Sequence, residues 1–373
     1  MEFLRSDRNT IGIELELQLL NPDTLDLVDG IIPLMELYPD AVNVKPEFIQ
    51  NTVEVTTRIC TGCDELYTEL ATVVRELQQR CRTLNMSICG SGTHPFSQRL
   101  ALITPQPRYK KMEKVSGYQG HIQITFATHI HIGVESGQQA IEIMDRLKAY
   151  IPLMIAVSAN SPFWRGHDTG FVSYRHIILA AARSYGVPPS FGTWQRFLDF
   201  MQTTTKAGIF ETVNDIHWDI RPRPHLGTIE IRLLDSQSTV SEAITLAAFV
   251  RTLVNFIRDF PEMCANPGLP QPLHWWLEKE NRFQASRKGL KAIHIHNDAG
   301  DSSRLADIWQ RVFETIRPVA EPSGDDVWLD RLHENISSGS GCMRQISSYK
   351  ENQSFTDVVR HMIDELDTDL ANS

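Results

Sequence analysis

Hydrophobic and polar residues alternate along Thr10–Leu20, where apolar residues take every second position and Glu14 and Glu16 stand between them. A period of two is typical of a strand with one buried face, because successive side chains of a strand point to opposite sides of the sheet. Similar patterns predict further strands at Asn51–Arg58, Phe126–Val134, Ile216–Ile220 and Gly227–Leu234.

Apolar residues recur every three or four positions along Asp64–Leu84, which predicts an amphipathic helix covering one side of the sheet. Gln138–Ala159 and Val240–Phe260 have the same helical period, and Pro152 is expected to kink the first of them. From about Leu273 onward the chain is predicted to be mainly helical. Strands and helices follow no regular alternation, which favours an α+β fold with an antiparallel or mixed sheet and helices on one face.

Composition narrows the class of partner. The 373 residues include 46 acidic and 36 basic side chains, a formal net charge of −10. Nucleic-acid binding depends on clustered Lys and Arg, and the chain has no sustained basic run, so we expect no nucleic-acid partner.

The longest apolar stretch, Tyr150–Ala159, is shorter than the roughly 20 residues of a membrane-spanning helix. With no secretory signal at the N-terminus, the sequence predicts a cytoplasmic protein with no membrane partner.

The six cysteines are too sparse for a disulfide scaffold. Cys60 and Cys63 form one C-x-x-C, but no second pair follows at the spacing of a zinc site. We therefore expect the cysteines to be reduced and buried as small apolar residues.

Acidic residues stand on the polar face of two predicted strands. Glu14 and Glu16 share one face of the first strand, and by themselves they would fit a solvated outer surface. Glu54 weakens that interpretation, because it is the acid on the polar face of a second strand. Glu47 lies seven residues before it.

Two further predicted strands repeat the pattern. His129 and His131 share one face of the third strand, and Glu230 shares a face with Arg232 on another. If these strands pair in one sheet, that face becomes a wall of carboxylates and imidazoles, which suits Mg²⁺ or Mn²⁺ better than zinc. The sequence has neither glycine-rich phosphate-loop motif, so a nucleotide would be held through metal and arginine.

Several motifs occur in the order typical of one family. They resemble those of the type 2 glutamate-cysteine ligase family, in its YbdK-type carboxylate-amine ligase branch, from about Thr10 to Leu290. Each motif is weak alone, but together they are specific. The motifs are Gly12-Ile13-Glu14-Leu15-Glu16, Gly92-Thr93-His94-Pro95, His129-Ile130-His131-Ile132-Gly133, Ala159-Asn160-Ser161-Pro162-Phe163-Trp164, Trp218-Asp219-Ile220-Arg221-Pro222, Gly227-Thr228-Ile229-Glu230-Ile231-Arg232 and Asn281-Arg282-Phe283-Gln284-Ala285.

The resemblance implies a glutamine-synthetase-like fold, in which an antiparallel sheet curls into a funnel with helices packed on its outer face. We expect one catalytic domain over residues 1–373, with a funnel core at about 10–290 and a helical extension at about 291–373. The resemblance also implies roles for individual side chains. The implied metal ligands are Glu14, Glu16, Glu47, Glu54, His131 and Glu230. The implied catalytic residues are Arg232, Arg221 and His129, with Arg232 and Arg221 also on the nucleotide. The implied substrate-binding residues are His94, Asn160, Trp164 and Arg175.

The implied activity is an ATP- and Mg²⁺- or Mn²⁺-dependent ligase. A carboxylate, expected to be the γ-carboxylate of glutamate, would be phosphorylated to an acyl phosphate that cysteine or another amine attacks to form an amide. Because water would hydrolyse the acyl phosphate, a mobile loop is expected, and Phe163–Arg175 is the candidate. His129 and His131 with carboxylates would also fit a metal-dependent hydrolase, and a non-catalytic metal- and nucleotide-binding sensor is the third alternative.

Other motifs have simpler interpretations. His294 and His296 stand beside a predicted turn, so a ligand role is the less favoured reading. Trp275 and Trp276 are assigned to packing or to an interface. Because aromatic residues in the helical C-terminal third can occupy a surface, we expect a homodimer.

Overall fold

The computed structural model describes residues 1–8 and 10–372. The strands are β1 (Ile11–Leu20), β2 (Val44–Pro46), β3 (Thr52–Thr56), β4 (Ser87–Cys89), β5 (Ala127–Gly133), β6 (Phe163–Trp164), β7 (His167–Asp168), β8 (Ile220–Arg223), β9 (Thr228–Asp235), β10 (Ile293–Ile295) and β11 (Ser302–Arg304). The helices are α1 (Ile31–Glu36), α2 (Cys63–Thr83), α3 (Pro107–Ser116), α4 (Tyr118–Ile122), α5 (Gly137–Leu147), α6 (Ile151–Ser158), α7 (Arg175–Leu179), α8 (Trp194–Lys206), α9 (Val240–Asp259), α10 (Pro261–Cys264), α11 (Trp275–Lys288), α12 (Leu305–Ala320), α13 (Asp326–Ser338), α14 (Gly341–Asn352) and α15 (Phe355–Ala371).

The main sheet has the strand order β2-β3-β1-β5-β9-β8, and β4 pairs with the end of β1. Every pairing within this sheet is antiparallel. Two separate hairpins, β6-β7 and β10-β11, lie outside it. The predicted α+β fold with an antiparallel sheet and packed helices is confirmed.

The apolar face of β1 lies against helices. Ile11, Ile13 and Leu15 are at most 2% exposed, whereas the glutamates between them remain half-buried on the other side. Helices α2 and α5 each pack on α9, and α9 also contacts β1 and β5. We call the opposite face, which carries Glu14 and Glu16, the inner face. The alternation of β1 thus divides the protein into a helical core and a polar inner face.

Helix α9 is the most deeply buried long helix beside the sheet, with 15 of its 20 residues buried. By length and composition alone it could cross a bilayer, but 83% of its most apolar window is buried inside this fold. A helix that is apolar on all sides is expected at the centre of a packed protein.

Truncation of Phe249 should test the importance of this helix. Its ring is fully buried in α9 and packs edge-to-face on Trp309 at 5.2 Å. Because a large cavity would remain, Phe249→Ala should lower the free energy of unfolding by about 3–5 kcal/mol, measured by urea unfolding. Phe260→Ala is the matched control, since that ring is 41% exposed. Equal losses in the two variants would show that α9 is not the centre of the core.

Two predicted elements differ from the structure. The predicted helix over Gln138–Ala159 is two helices, α5 and α6, separated by a 3₁₀ turn at Lys148–Tyr150. Pro152 lies in the first turn of α6, where its missing N–H costs nothing, so it begins a second helix and does not kink one helix.

The predicted strand at Ile216–Ile220 is wrong in its position. The strand is β8, and it begins only at Ile220, after a 3₁₀ turn at Val213–Asp215. Thr212 and Asp215 form a capping box on that turn, which stabilises a helical conformation of the backbone just ahead of β8. The C-terminal part is mainly helical as predicted, apart from the short β10-β11 hairpin.

The cysteines agree with the sequence prediction. All six are buried and free in the described chain, including Cys60 and Cys63. Burial raises the pKa of both thiols, Cys60 to about 11, so neither has the thiolate character of a reactive cysteine.

Candidate active site

The inner face gathers the six predicted metal ligands into two groups. One group, the β9-side cluster, consists of Glu14, His131 and Glu230. The other, the β3-side cluster, consists of Glu16, Glu47 and Glu54. In each group the possible ligand atoms lie within 4.8 Å of one another.

Strand register explains this division. Glu16 stands opposite Glu54 across the β1-β3 pair, and His131 stands opposite Glu230 across the β5-β9 pair. Glu47 comes from the loop after β2, where its carboxylate accepts the backbone N–H of Phe48 at 2.7 Å. Neighbouring strands thus contribute to both clusters, and β1 belongs to each of them.

The β3-side cluster has an excess of negative charge. Burial and the charge of Glu47 raise the pKa of Glu16 to about 8, although two arginines oppose the shift. Burial and the neighbouring carboxylates also raise the pKa of Glu54 well above its ordinary value. The ammonium of Lys45 is 3.9 Å from Glu54 and compensates only in part. Three crowded carboxylates, one buried and two half-buried, are the oxygen-rich donor set that Mg²⁺ or Mn²⁺ prefers, so these residues fit the implied metal.

The β9-side cluster is built around His131. Its Nδ1 lies 3.0 Å from the Thr228 hydroxyl, while Nε2 lies 3.3 Å from Glu14 and 3.9 Å from Glu230. This buried Nε2 faces the two carboxylates and has no further partner among the described residues. An imidazole fixed at one nitrogen and open at the other, beside two carboxylates, also fits a divalent cation.

His129 connects the two clusters. Its Nδ1 is 3.1 Å from Glu14, and its Nε2 is 3.8 Å from Glu16. Burial and the charge of Arg232 lower the pKa of His129 to about 4, so the ring is neutral at pH 7. Burial tends to raise the pKa of Glu14, but hydrogen bonds with His129 and His131 outweigh it and lower the pKa well below its ordinary value. His129 therefore orients Glu14 on the inner face.

Three arginines surround Glu230. Arg221 Nε lies 2.6 Å and an Arg223 terminal nitrogen 2.8 Å from its carboxylate, and Arg232 donates to the same group. Burial alone would raise the pKa of Glu230, but the three guanidinium charges lower it well below its ordinary value. Arg221 Nη2 donates to the other oxygen of Glu230 at 3.3 Å, and its Nη1 binds the backbone carbonyls of residues 213, 214 and 216. Arg221 is thus held within the fold, and Arg232 is the better placed of the two for a phosphoryl group.

The backbone around Arg232 is fixed from two sides. Its N–H donates to the Asp219 carbonyl at 2.8 Å. Arg175 donates to the carbonyls of Arg232 and Leu233 at 3.2 and 3.1 Å. Asp219 is in turn held by a bidentate ion pair with Arg282, at 2.7 and 3.0 Å. Arg175, predicted to bind substrate, is seen to support this part of β9, with its Nε still buried and unpaired.

The hydrogen bonds of His94 are used within the fold. Its Nε2 lies 3.0 Å from the carbonyl of Leu25, and its Nδ1 accepts the N–H groups of Phe96 and Ser97. The ring is 1% exposed, and burial lowers its pKa to about 4. This geometry favours positioning of the backbone over contact with substrate.

Asn160 is a buried junction between distant parts of the chain. Its amide donates to the Ser236 carbonyl at 2.9 Å, and its side-chain oxygen accepts from Gln345 at 2.8 Å. Gln345 also donates to the Ser91 hydroxyl, so α14 is tied to this junction. Both polar atoms of the Asn160 side chain therefore bond within the fold, and neither is open for the predicted contact with substrate.

The predicted lid, Phe163–Arg175, is anchored along much of its length. Phe163 is buried between Tyr349 and Phe355, and Gly166 donates its N–H to the carbonyl of Pro95 at 2.9 Å. Trp164 is half-buried in the hairpin, with the Arg165 guanidinium 5.6 Å from its ring centroid. Residues 167–168 are exposed, but they form β7 and pair with β6, and the turn between the two strands is held by Pro95 and Gln98.

Four residues next to the site were not predicted. Arg223 shares a strand face with Arg221, and Thr228 shares one with Glu230, so the period of two could have identified both. Tyr185 comes from an irregular segment that no periodic pattern marks, and His217 lies in the irregular segment that was predicted as a strand. The predicted His294 and His296 pair lies on the β10-β11 hairpin, where His296 contacts Ser303 at 2.8 Å.

The raised pKa of Glu16 predicts how stability depends on pH without metal. Glu16 takes up a proton below about 8 in the folded protein but only near 4.5 when unfolded. Its contribution is therefore full below pH 4.5 and is lost as the pH rises toward 8, because the unfolded state then holds fewer protons. Urea unfolding in EDTA should show a loss on the order of 2 kcal/mol over this range.

The matched variant is Glu16→Gln, which should weaken this pH dependence, while the raised pKa of Glu54 maintains part of it. Adding Mg²⁺ at pH 8 should restore stability to the unsubstituted protein, since a ligand of the folded state stabilises it. A wild-type free energy of unfolding that rises between pH 4.5 and 8 in EDTA would contradict the charge crowding described above.

Comparison with solved structures defines the class of fold. The chain is similar to the glutamate–cysteine ligase of Francisella tularensis in complex with AMP, with a TM-score of 0.68, 14% identity and coverage of 100% of this chain and 92% of that one. It is also similar to a bifunctional glutathione synthetase from Pasteurella multocida, with a TM-score of 0.64, 11% identity and coverage of 97% and 52%. At these identities the likeness shows a shared fold.

Sequence comparison then gives the family. Residues 10–364 match the model of glutamate-cysteine ligase family 2, so the chain belongs to that family and is an ATP-dependent carbon–nitrogen ligase. A protein of Trichormus variabilis, provisionally named glutamate–cysteine ligase 2, is 41% identical over 100% of this chain and 96% of its own length. A protein of Thermobifida fusca with the same provisional name is 32% identical over 98% and 92%. The match extends past Leu290, so the C-terminal helices belong to the family as well.

Proposed function

We propose that the protein uses ATP to phosphorylate a carboxylate, the γ-carboxylate of glutamate, and joins it to cysteine or another amine. The observation that supports this most strongly is the inner face itself. Two carboxylate clusters share strand β1, and Arg232 lies beside them. Attack of a carboxylate on a phosphate brings two anions together, so such a site must supply positive charge.

The residues of the chain would divide the work. Glu16, Glu47 and Glu54 would hold one divalent cation, and Glu14, His131 and Glu230 would hold another; when bound, these ions neutralise phosphate charge. Arg232 would contact the transferred phosphoryl group. Arg221 and Arg223 would keep Glu230 charged and in place. His129 stays neutral and orients Glu14.

The second half of the reaction forms the amide. The amine nitrogen bonds to the carbonyl carbon of the acyl phosphate, the bond from that carbon to the phosphate oxygen breaks, and phosphate leaves with the electron pair. The nitrogen loses its extra proton to water or to the departing phosphate. Release of ADP and phosphate then depends on both a carboxylate and an amine.

A coupled assay of ADP release tests this proposal. Purified protein is given ATP, Mg²⁺ and glutamate, and cysteine and other amines are added one at a time. We expect ADP release that requires both substrates and stops in EDTA. Hydrolysis of esters or amides without ATP would support the hydrolase alternative, and ATP binding without turnover for any pair would support the sensor alternative.

We also propose that residues 1–373 form one catalytic domain in a cytoplasmic homodimer. Leu366 and Leu370 of α15 belong to the same hydrophobic core as β1, which supports a single domain. Trp275 and Trp276 are 67% and 55% exposed, which is compatible with an interface. Light scattering on purified protein measures the mass and so tests the homodimer.

A further inference from the structure

Glu47 is held differently from the other two carboxylates of the β3-side cluster. Glu16 and Glu54 stand opposite each other on the paired strands β1 and β3, whereas Glu47 follows β2 in the chain and lies outside the strand pairing. Mg²⁺ requires its ligand oxygens at about 2.0–2.1 Å in near-octahedral geometry, so a small displacement of one carboxylate matters. The position of Glu47 therefore depends on what holds the backbone at residues 46–48.

Thr104 holds this backbone at two successive carbonyls. Its hydroxyl donates to the Glu47 carbonyl at 2.6 Å, and its N–H donates to the Phe48 carbonyl at 2.9 Å. The Glu47 carbonyl belongs to the same peptide group as the Phe48 N–H, which the Glu47 carboxylate accepts. Thr104 is 1% exposed, so water does not compete for these bonds. Thr104 thus fixes the peptide group that orients the Glu47 carboxylate.

Tyr109 holds the same loop from helix α3. Its hydroxyl donates to the Pro46 carbonyl at 3.0 Å, and its ring meets that of Phe48 edge-to-face at a centroid distance of 5.9 Å. Tyr109 therefore contacts the residue on each side of Glu47. Of the ten residues of α3, all of them within the described chain, Tyr109 alone is buried.

The outer side of α3 is exposed and basic. Lys111 forms an ion pair with Glu211 at 3.2 Å, but the two side chains are 72% and 77% exposed, so screening by solvent leaves it little strength. The other exposed basic residues of α3 are Arg108, Lys110 and Lys114. The main buried attachment of α3 is thus the one that Tyr109 makes to the Glu47 loop.

We propose that Thr104 and Tyr109 are positioning residues for Glu47, and that through them the docking of α3 and the binding of a divalent cation at the β3-side cluster stabilise each other. Such a coupling acts equally in both directions. A cation that draws Glu47 into place also holds α3, and a loosened α3 weakens the binding of the cation. This inference rests on the metal sites of the proposed function and adds to them two residues and a coupling.

Titration with Mn²⁺ in the absence of ATP, followed by electron paramagnetic resonance, tests the two residues. Thr104→Val and Tyr109→Phe each remove one hydroxyl and keep the shape of the side chain. Each should weaken Mn²⁺ binding at one of the two sites about threefold to tenfold, and the two changes together about tenfold to a hundredfold. Binding at the β9-side cluster should persist, because its ligands lie on β1, β5 and β9.

Two further variants serve as controls. Thr104→Ser keeps the hydroxyl and should retain the affinity of the wild-type protein. Thr315→Val removes a similar hydrogen bond, from its hydroxyl to the Arg311 carbonyl at 2.7 Å in α12, and should leave both sites unchanged. Unchanged Mn²⁺ affinity in the double variant, or an equal loss at both sites, would overturn the inference.

The wild-type titration separates this inference from the proposed function. If the wild-type protein binds no Mn²⁺, the metal sites of the proposed function fail and the inference fails with them. If the wild-type protein binds Mn²⁺ and the double variant binds it equally well, the proposed function stands and the inference alone fails.

Trypsin tests the coupling from the side of α3, since it cleaves after the four exposed basic residues of that helix. Saturating Mg²⁺ should slow cleavage within α3 about threefold to tenfold in the wild-type protein, and less in Glu47→Gln. Cleavage after the exposed Arg360 in α15 is the internal control, and mass spectrometry identifies the fragments. Absence of protection in α3, or equal protection of α3 and α15, would contradict the coupling.

Discussion

Replacing Glu54 with glutamine should abolish metal-dependent turnover while making the metal-free protein more stable. Glutamine keeps the volume of the side chain but removes a charge that Glu14, Glu47 and Glu16 repel. Since a divalent cation contributes several kcal/mol to such a reaction, kcat should fall about a thousandfold. Relief of repulsion should raise the free energy of unfolding in EDTA by about 1 kcal/mol.

Two measurements check this result. Titration with Mn²⁺, followed by electron paramagnetic resonance, should show the loss of one binding site in Glu54→Gln, and urea unfolding in EDTA should show the gain in stability. Glu69→Gln is the control, because Glu69 lies on α2 and forms an ion pair with the exposed Arg58, away from the inner face. Full activity in Glu54→Gln would show that Glu54 is not a ligand of a metal ion that the reaction needs.

Replacing Arg232 with alanine should slow phosphoryl transfer without preventing metal binding. A transition-state arginine in phosphoryl-transfer enzymes contributes about 10³–10⁵ in rate, and the loss should lie in that range. The fold should tolerate the change, because the backbone at this position is held by Asp219 and Arg175. Arg221 and Arg223 would still compensate the charge of Glu230.

Two quantities are measured for Arg232→Ala. The first is the hydroxamate that forms when hydroxylamine traps the acyl phosphate, which reports phosphoryl transfer, and the second is Mn²⁺ binding. We expect hydroxamate formation to fall and Mn²⁺ binding to persist, whereas a general loss of structure would remove both. Arg232→Lys should recover part of the rate, since it restores the charge but not the paired donors of a guanidinium. A loss of Mn²⁺ binding in Arg232→Ala would mean that Arg232 organises the clusters instead of contacting phosphate.

Periodicity predicted the main strands because each has one apolar face. β1, β5 and β9 match their predicted ranges to within a few residues. β8 was misplaced because its charged Arg221 and Arg223 point to the inner face, so its apolar signal is confined to Ile220 and the residues before it. Strands of three residues, such as β2 and β4, are too short to show a period.

The site was predictable as one polar face but not as two clusters. Glu16 and Glu54 meet because of a register between β1 and β3 that the sequence does not specify, and Glu47 reaches them from a loop. The three arginines around Glu230 also depend on strand pairing. Tyr185 could not be found at all, since a loop residue gains its neighbours only when the chain has folded.

The junction at Asn160 has a consequence for how the molecule is made. Gln345 reaches the Asn160 side chain and Ser91 from 185 and 254 residues away along the chain. Contacts between such distant residues form slowly, because long loops must close first. During synthesis the hydrogen bonds around Asn160 and Ser91 therefore form only after α14 has been made. A nascent chain released early would expose this polar junction, which makes it a natural substrate for chaperones and proteases.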